Sequence, residues 1–149
     1  MDTVETSIEI ERPAELVFKL WTEEMNLWWP RFGERFRYTF SPADVEPDQI
    51  HLEAEVGGRL YEVFASGEEF VIGRVIEVDP PRSITYTWRA RDWDADTTIN
   101  VTFREVLGTT TVVTVRHSGF EALGLEEVAE GYGEGLEEVV GFFAKYASG

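Results

Sequence analysis

His117 is the titratable residue whose neighbours put it where chemistry near neutral pH could happen. Val113 and Val115 precede it at two-residue spacing, so a strand here carries all three on one apolar face and Val112, Thr114 and Arg116 on the other. An imidazole near the end of such a face could orient a ligand or act as a general acid or base. Its commoner role is structural, with a ring nitrogen bonded to nearby backbone. Trp21, Trp28 and Trp29 follow a helical stretch and could close over an aromatic or aliphatic ligand, or fill the end of a core. Arg59, after Gly57-Gly58, could hold a carboxylate through two parallel bonds. In so acidic a chain, a neighbouring glutamate competes for it. His51, Glu53 and Glu55 share one strand face in a loosely metal-like pattern. With two histidines in the whole chain, on different faces, and no cysteine, a closed zinc site is not expected. A solvated face is the better reading.

The remaining composition excludes more than it selects. Without cysteine there is no disulfide, thiolate nucleophile or cysteine-held metal. Gly57-Gly58 leads into a strand and not a helix, so it is not a phosphate cradle. Neither a nucleophile elbow nor a paired-histidine zinc motif occurs, and no metal or cofactor is called for. The 29 acidic and 13 basic residues leave a formal charge of −16, a field that repels phosphate backbones and anionic bilayers. Nucleic acid and membrane surfaces are therefore poor partners. The opening residues are acidic and lack the apolar run of a signal peptide, so a cytoplasmic setting is the expectation.

Strands and helices must position these groups. Val4, Thr6, Ile8 and Ile10 alternate with Glu5, Ser7, Glu9 and Glu11, the mark of a half-buried strand. Pro13 suits the first turn of a helix, in which Leu16, Val17, Leu20 and Trp21 recur at helical spacing. A second short helical piece is expected over residues 23–27, and a short strand over 36–40. Strands then follow at 50–56, 59–65, 70–78, 83–89, 97–106 and 110–117, joined by turns too short for parallel crossovers. The expected sheet is an antiparallel meander. A helix over 125–146 closes the chain, with Leu125, Val128, Tyr132, Leu136, Val139 and Phe143 on one face. Glu126, Glu130, Glu134 and Glu138 repel along the other, and Gly131, Gly133 and Gly135 weaken it further, so it must be held by docking on the sheet. Aromatic residues on the sheet facing those glycines leave either an unfilled space or an interlocked solid core.

An ordered series of segments resembles the START-like (SRPBCC, helix-grip) superfamily. Within it the chain is similar to the activator of heat shock protein 90 ATPase homologue-like family. The segments are Ile10-Glu11-Arg12-Pro13, Leu27-Trp28-Trp29-Pro30, Gly57-Gly58-Arg59, the run from Gly73 to Pro81, His117-Ser118-Gly119-Phe120, and Gly131-Tyr132 through Leu136. Pro30 stands where a glycine usually follows the tryptophan pair, and Tyr132 where tryptophan is common. The resemblance covers nearly all of residues 1–149 and implies one START-like domain of the α+β class. In it, a curved antiparallel meander wraps a long C-terminal helix, with two short helices after the first strand. It also implies a cavity between sheet and helix for a small hydrophobic molecule such as a lipid, steroid or polyketide. Phe18, Trp21, Trp28, Trp29, Tyr61 and Tyr86 are the expected lining, together with Trp88, Phe103, His117, Phe120, Tyr132 and Leu136. Binding without catalysis is the first expectation. A cyclase or dehydratase using His117 is the second, and a chaperone-associated module, or pairing with a second copy, the third.

Overall fold

A computed structural model describes residues 2–149. Its first strand, β1 (Thr3–Ile10), leads through Pro13 into α1 (Ala14–Glu23), which turns directly into α2 (Met25–Trp28). Residues 29–46 form an irregular strap. Then come β2 (Pro47–Leu52), β3 (Arg59–Phe64), β4 (Glu69–Asp79), β5 (Ser83–Trp88), β6 (Thr97–Val106) and β7 (Thr110–Ser118). A single 3-10 turn at Glu121–Leu123 precedes α3 (Glu126–Ser148). The seven strands form one antiparallel sheet in the order β1-β7-β6-β5-β4-β3-β2, so β1 closes against the last strand while the others run as a meander. Bulges at Leu60/Tyr61 and Val75/Glu77 bend β3, β4 and β5; such irregularities sharpen strand twist, and the sheet curls around α3. This is the helix-grip fold.

Two expected strands differ. Residues 36–40 form no strand; only an isolated bridge joins Phe32 to Arg37. Polar partners hold that backbone instead: Arg37 donates to the Ser41 carbonyl (2.6 Å) and the Arg91 guanidinium to the Phe40 carbonyl (2.9 Å). The strand expected at 50–56 lies earlier, over Pro47–Leu52. Glu53 ends it, because its carboxylate accepts the Arg59 amide (2.8 Å) and folds residues 53–58 into a turn.

The core is apolar and rich in rings. Trp21 lies 4.9 Å from Phe143 and 4.8 Å from Trp28, and Phe18 meets Phe103 edge-on at 5.3 Å. Contacts of this kind stabilise by roughly 0.5–1.5 kcal/mol beyond the area they bury. They fix the C-terminal half of α3 through Val139, Val140, Phe143 and Ala147, all buried. Acidic Glu126 and Glu127 in the first turn and Lys145 in the last complement the helix dipole. The N-terminal half sits differently: Val128 is 38% exposed, and only Ala129 and Gly135 are buried there. The face expected to be continuous is therefore split. Its later part enters the core, and Val128, Tyr132 and Leu136 overhang the sheet beside a cavity.

Two glycines test this packing in opposite directions. A Cβ on Gly73 would fall 1.7 Å from the Thr87 carbonyl oxygen, a backbone atom that cannot swing aside. Gly73→Ala is expected to cost about 3 kcal/mol or more in urea unfolding. At Gly131 a Cβ would meet nothing within 4 Å. Gly131→Ala is expected to add about 1 kcal/mol through helix propensity. Equal effects at the two positions would contradict the described β4–β5 approach.

Candidate functional site

A cavity of about 440 Å³ opens between the sheet and the N-terminal half of α3. Its floor carries Ile72, Tyr86, Trp88, Ile99, Val115 and His117; its roof carries Val128, Gly131, Tyr132, Gly135, Leu136 and Val139. Trp21, Trp29 and Ile50 close one end, and Phe36–Phe40 of the strap form a side wall. The space exists because of what the roof lacks. Gly131 leaves its Cβ position empty, and Gly135 allows Tyr38 to come within 3.2 Å of where a Cβ would be.

Of the expected lining, Trp21, Trp29, Tyr86, Trp88, His117, Tyr132 and Leu136 stand on the cavity wall. Phe18, Trp28 and Phe103 do not; they are the ring cluster that anchors α3. Phe120 is fully buried behind the wall, 4.6 Å from His117 and 6.1 Å from Trp93. Tyr61 lies with its ring under the Arg59 guanidinium (4.0 Å) and beside His51 (5.6 Å), away from the cavity. Strand alternation explains Tyr61: Leu60, Glu62 and Phe64 are the buried residues of β3, and Tyr61 has the opposite parity. Arg59 bonds Glu53 and Glu69, and His51 bonds Gln49. Both groups are held by their neighbours on the sheet.

His117 is buried and stacked among Trp88, Phe120 and Tyr132. Its Nε2 lies 2.7 Å from Thr97 Oγ1, which itself lies 2.8 Å from the Trp88 carbonyl oxygen. A carbonyl can only accept, so the single hydroxyl proton of Thr97 goes to Trp88. The histidine must then donate from Nε2, leaving the lone pair on Nδ1. Burial lowers the His117 pKa to about 3, so the ring is neutral at ordinary pH. The Tyr86 phenol is raised well above its ordinary value by burial, with the Trp21 N–H opposing that shift. The Trp21 N–H itself does not reach hydrogen-bond geometry with any partner. Burial likewise raises Tyr132, whose hydroxyl sits 3.5 Å from Trp88 Nε1.

The strap holds the polar groups that sequence patterns did not reveal. Buried Glu62 accepts from the Thr39 hydroxyl and from the Phe40 amide (2.7 Å). Desolvation raises its pKa, while those two bonds and the charges of Arg31 and Arg37 oppose the shift. On the other side, Glu138 of α3 accepts from the Tyr38 hydroxyl (2.6 Å) and the Glu34 amide (2.7 Å). The Trp29 indole donates to the Tyr38 carbonyl (2.9 Å). The strap is thus tied to both sheet and helix. The only hint of this in the sequence is a glutamate at a core-parity position of a strand.

A family model described as Activator of Hsp90 ATPase homolog 1-like protein matches residues 11–147. No curated protein matches the sequence. Among solved structures, a protein from Mesorhizobium loti is 17% identical, with a TM-score of 0.69 over 96% of this chain and 94% of that one. An anthrahydroquino-gamma-pyrone synthase is 27% identical, with a TM-score of 0.64 over 97% of this chain and 96% of its own. An HSP90 activator from Plasmodium falciparum is 23% identical, with a TM-score of 0.53 over 79% and 73%.

The depressed histidine has a consequence for stability. Below its free value near 6.5, the unfolded chain takes up a proton at His117 that the folded chain refuses. The histidine's share of stability is complete above that pH and is lost as pH falls toward about 3. Relative to His117→Gln, the native protein is expected to lose about 1 kcal/mol per pH unit between roughly pH 6 and pH 4. Urea titrations across that range measure it. Parallel pH profiles for the two proteins would mean that the imidazole is not shielded.

Proposed function

The chain belongs to the Activator of Hsp90 ATPase homolog 1-like family, and from that premise we propose that it binds a small hydrophobic molecule in the cavity beneath α3. The observation that carries this reading is the cavity itself. About 440 Å³ of space lies among Trp21, Trp29, Tyr86, Trp88, Ile99 and Leu136 in an interior whose C-terminal half is tightly packed. Such a volume, apolar with a few polar groups, is the ordinary form of a small-molecule site. Ring-bearing ligands of the steroid or polyketide kind suit its aromatic walls, which offer offset and edge-on contacts. The likeness to an anthrahydroquino-gamma-pyrone synthase supports a fused-ring occupant.

The same likeness gives a catalytic reading its one specific support. Against it stands the state of His117: a base with a pKa of about 3 removes protons poorly from carbon or water at neutral pH. Binding without turnover is the better account of this site.

Native mass spectrometry and a calorimetric screen of fatty acids, steroids and aromatic polyketides test the proposal. At least one class is expected to bind at micromolar concentration. Gly131→Leu places a side chain in the empty roof position and is expected to weaken that binding about tenfold or more without loss of thermal stability. If every class fails to bind below millimolar concentration, the reading is wrong. If Gly131→Leu leaves a measured affinity untouched, the ligand sits elsewhere.

A further inference from the structure

Three residues form a row across the cavity floor. Tyr86 of β5 pairs with Ile99 of β6, and Ile99 pairs with His117 of β7. All three stand on the cavity wall. Adjacent strands are spaced by nearly 5 Å, so the two outer residues of this row are roughly 10 Å apart.

The ends of the row differ in hydrogen-bonding character. The Trp21 N–H faces the Tyr86 oxygen without reaching hydrogen-bond geometry, and no acceptor among the described residues takes the phenol proton. Trp21 Nε1 is the one buried side-chain polar atom among them that is both enclosed and unpartnered. The Tyr86 phenol keeps its proton on a side chain that lines the cavity. At the other end, the Thr97–Trp88 chain fixes the His117 proton on Nε2, so Nδ1 offers a lone pair. No described residue bonds that Nδ1; the oxygen of neighbouring Tyr132 accepts from the Trp88 indole at 3.5 Å. Between the ends, Ile99 supplies an apolar floor. The one cation on the wall, Arg37, is bonded to the Ser41 carbonyl and faces the charge of Glu62, so it is already balanced. A carboxylate-headed ligand gains little there.

We infer that the preferred occupant is a flat fused-ring hydroxy-ketone lying along this row. Its carbonyl oxygen accepts the Tyr86 proton at one end, and its hydroxyl donates to His117 Nδ1 at the other. The inference rests on the cavity being a ligand site and adds the polarity and length of what it takes. A ligand with its two groups on adjacent carbons satisfies only one end. A fully apolar polycycle satisfies neither, and leaves both protein groups desolvated and unpaired.

Calorimetry with three probes tests it: testosterone, which carries a ketone and a hydroxyl at opposite ends; androstenedione, which has no hydroxyl to donate; and an androstanol without the ketone. The native protein is expected to bind testosterone about tenfold more tightly than either of the others. Tyr86→Phe should erase the advantage of the ketone and keep that of the hydroxyl; His117→Phe should do the reverse. The probe comparison on the native protein needs no variant, so a folding defect in His117→Phe leaves it decisive. Three equal affinities, or a ketone preference that survives Tyr86→Phe, overturn the hydroxy-ketone inference while the cavity reading stands. Failure of all three to bind removes the ring-binding cavity and this inference together.

Discussion

The contact on which the rest of the structure depends is between Phe143 and the indole pair Trp21 and Trp28, each within 4.9 Å of it. α3 is a poor helix by itself, with glycines in its interior and a row of like charges along its outer side. Docking through Phe143, Val140 and Ala147 supplies what propensity does not. Because that clamp sits in the C-terminal half, the N-terminal half is cantilevered over the sheet. Where it passes β1, Gly133 lets Val4 come within 3.2 Å of its missing Cβ. Where it passes Tyr86, Ile99 and His117, Gly131 faces open space and Gly135 takes the edge of the Tyr38 ring. One helix therefore does two jobs, closing a core at one end and roofing a cavity at the other.

The strap translates that arrangement into a wall with a fixed position. A stretch as long as residues 29–46 without regular structure has few backbone partners of its own. Glu62 and Glu138 provide them from opposite sides, one from within the sheet and one from the helix. Glu62 is costly to bury, and its raised pKa records that cost. Its two hydrogen bonds and the nearby guanidinium groups offset it. Removing the carboxylate would free the segment that carries Phe36–Phe40 along the cavity side.

Strand parity, turn chemistry and the helical period made the meander and the closing helix legible in the sequence. They also placed Tyr86, Trp88 and His117 on one inward face. The resemblance implies Tyr61 in the lining, whereas its parity in β3 puts it on the opposite face from Leu60, Glu62 and Phe64. Phe18, Trp28 and Phe103 illustrate a different limit. Periodicity says that a residue faces inward, and it does not say whether inward means core or cavity. That choice was made by the clamp at Phe143, a contact between elements more than a hundred residues apart in sequence. The strap was the least legible part because its hydrogen bonds run to side chains, which leave no period to read.

Under the proposed function, the cavity's polar groups suit recognition better than reaction. Catalysis by a histidine needs a ring that can change protonation near working pH, and here burial among Trp88, Phe120 and Tyr132 supplies no countercharge to hold a proton. No carboxylate orients Nδ1, and the Thr97 hydroxyl on the other nitrogen fixes the tautomer without making the ring more basic. What such a histidine does well is present one lone pair in one direction. Tyr86 is the converse, a phenol whose raised pKa keeps its proton in place as a donor. A neutral donor and a neutral acceptor on a rigid sheet, separated by an isoleucine, cost the folded protein less than a charged pair in the same apolar space. On the proposed reading they would discriminate among uncharged ligands by the spacing of their oxygens. The charged residues on the cavity wall are Arg37, already bonded to the Ser41 carbonyl, and Glu127 at the start of α3, so the groups along the row of Tyr86, Ile99 and His117 are neutral.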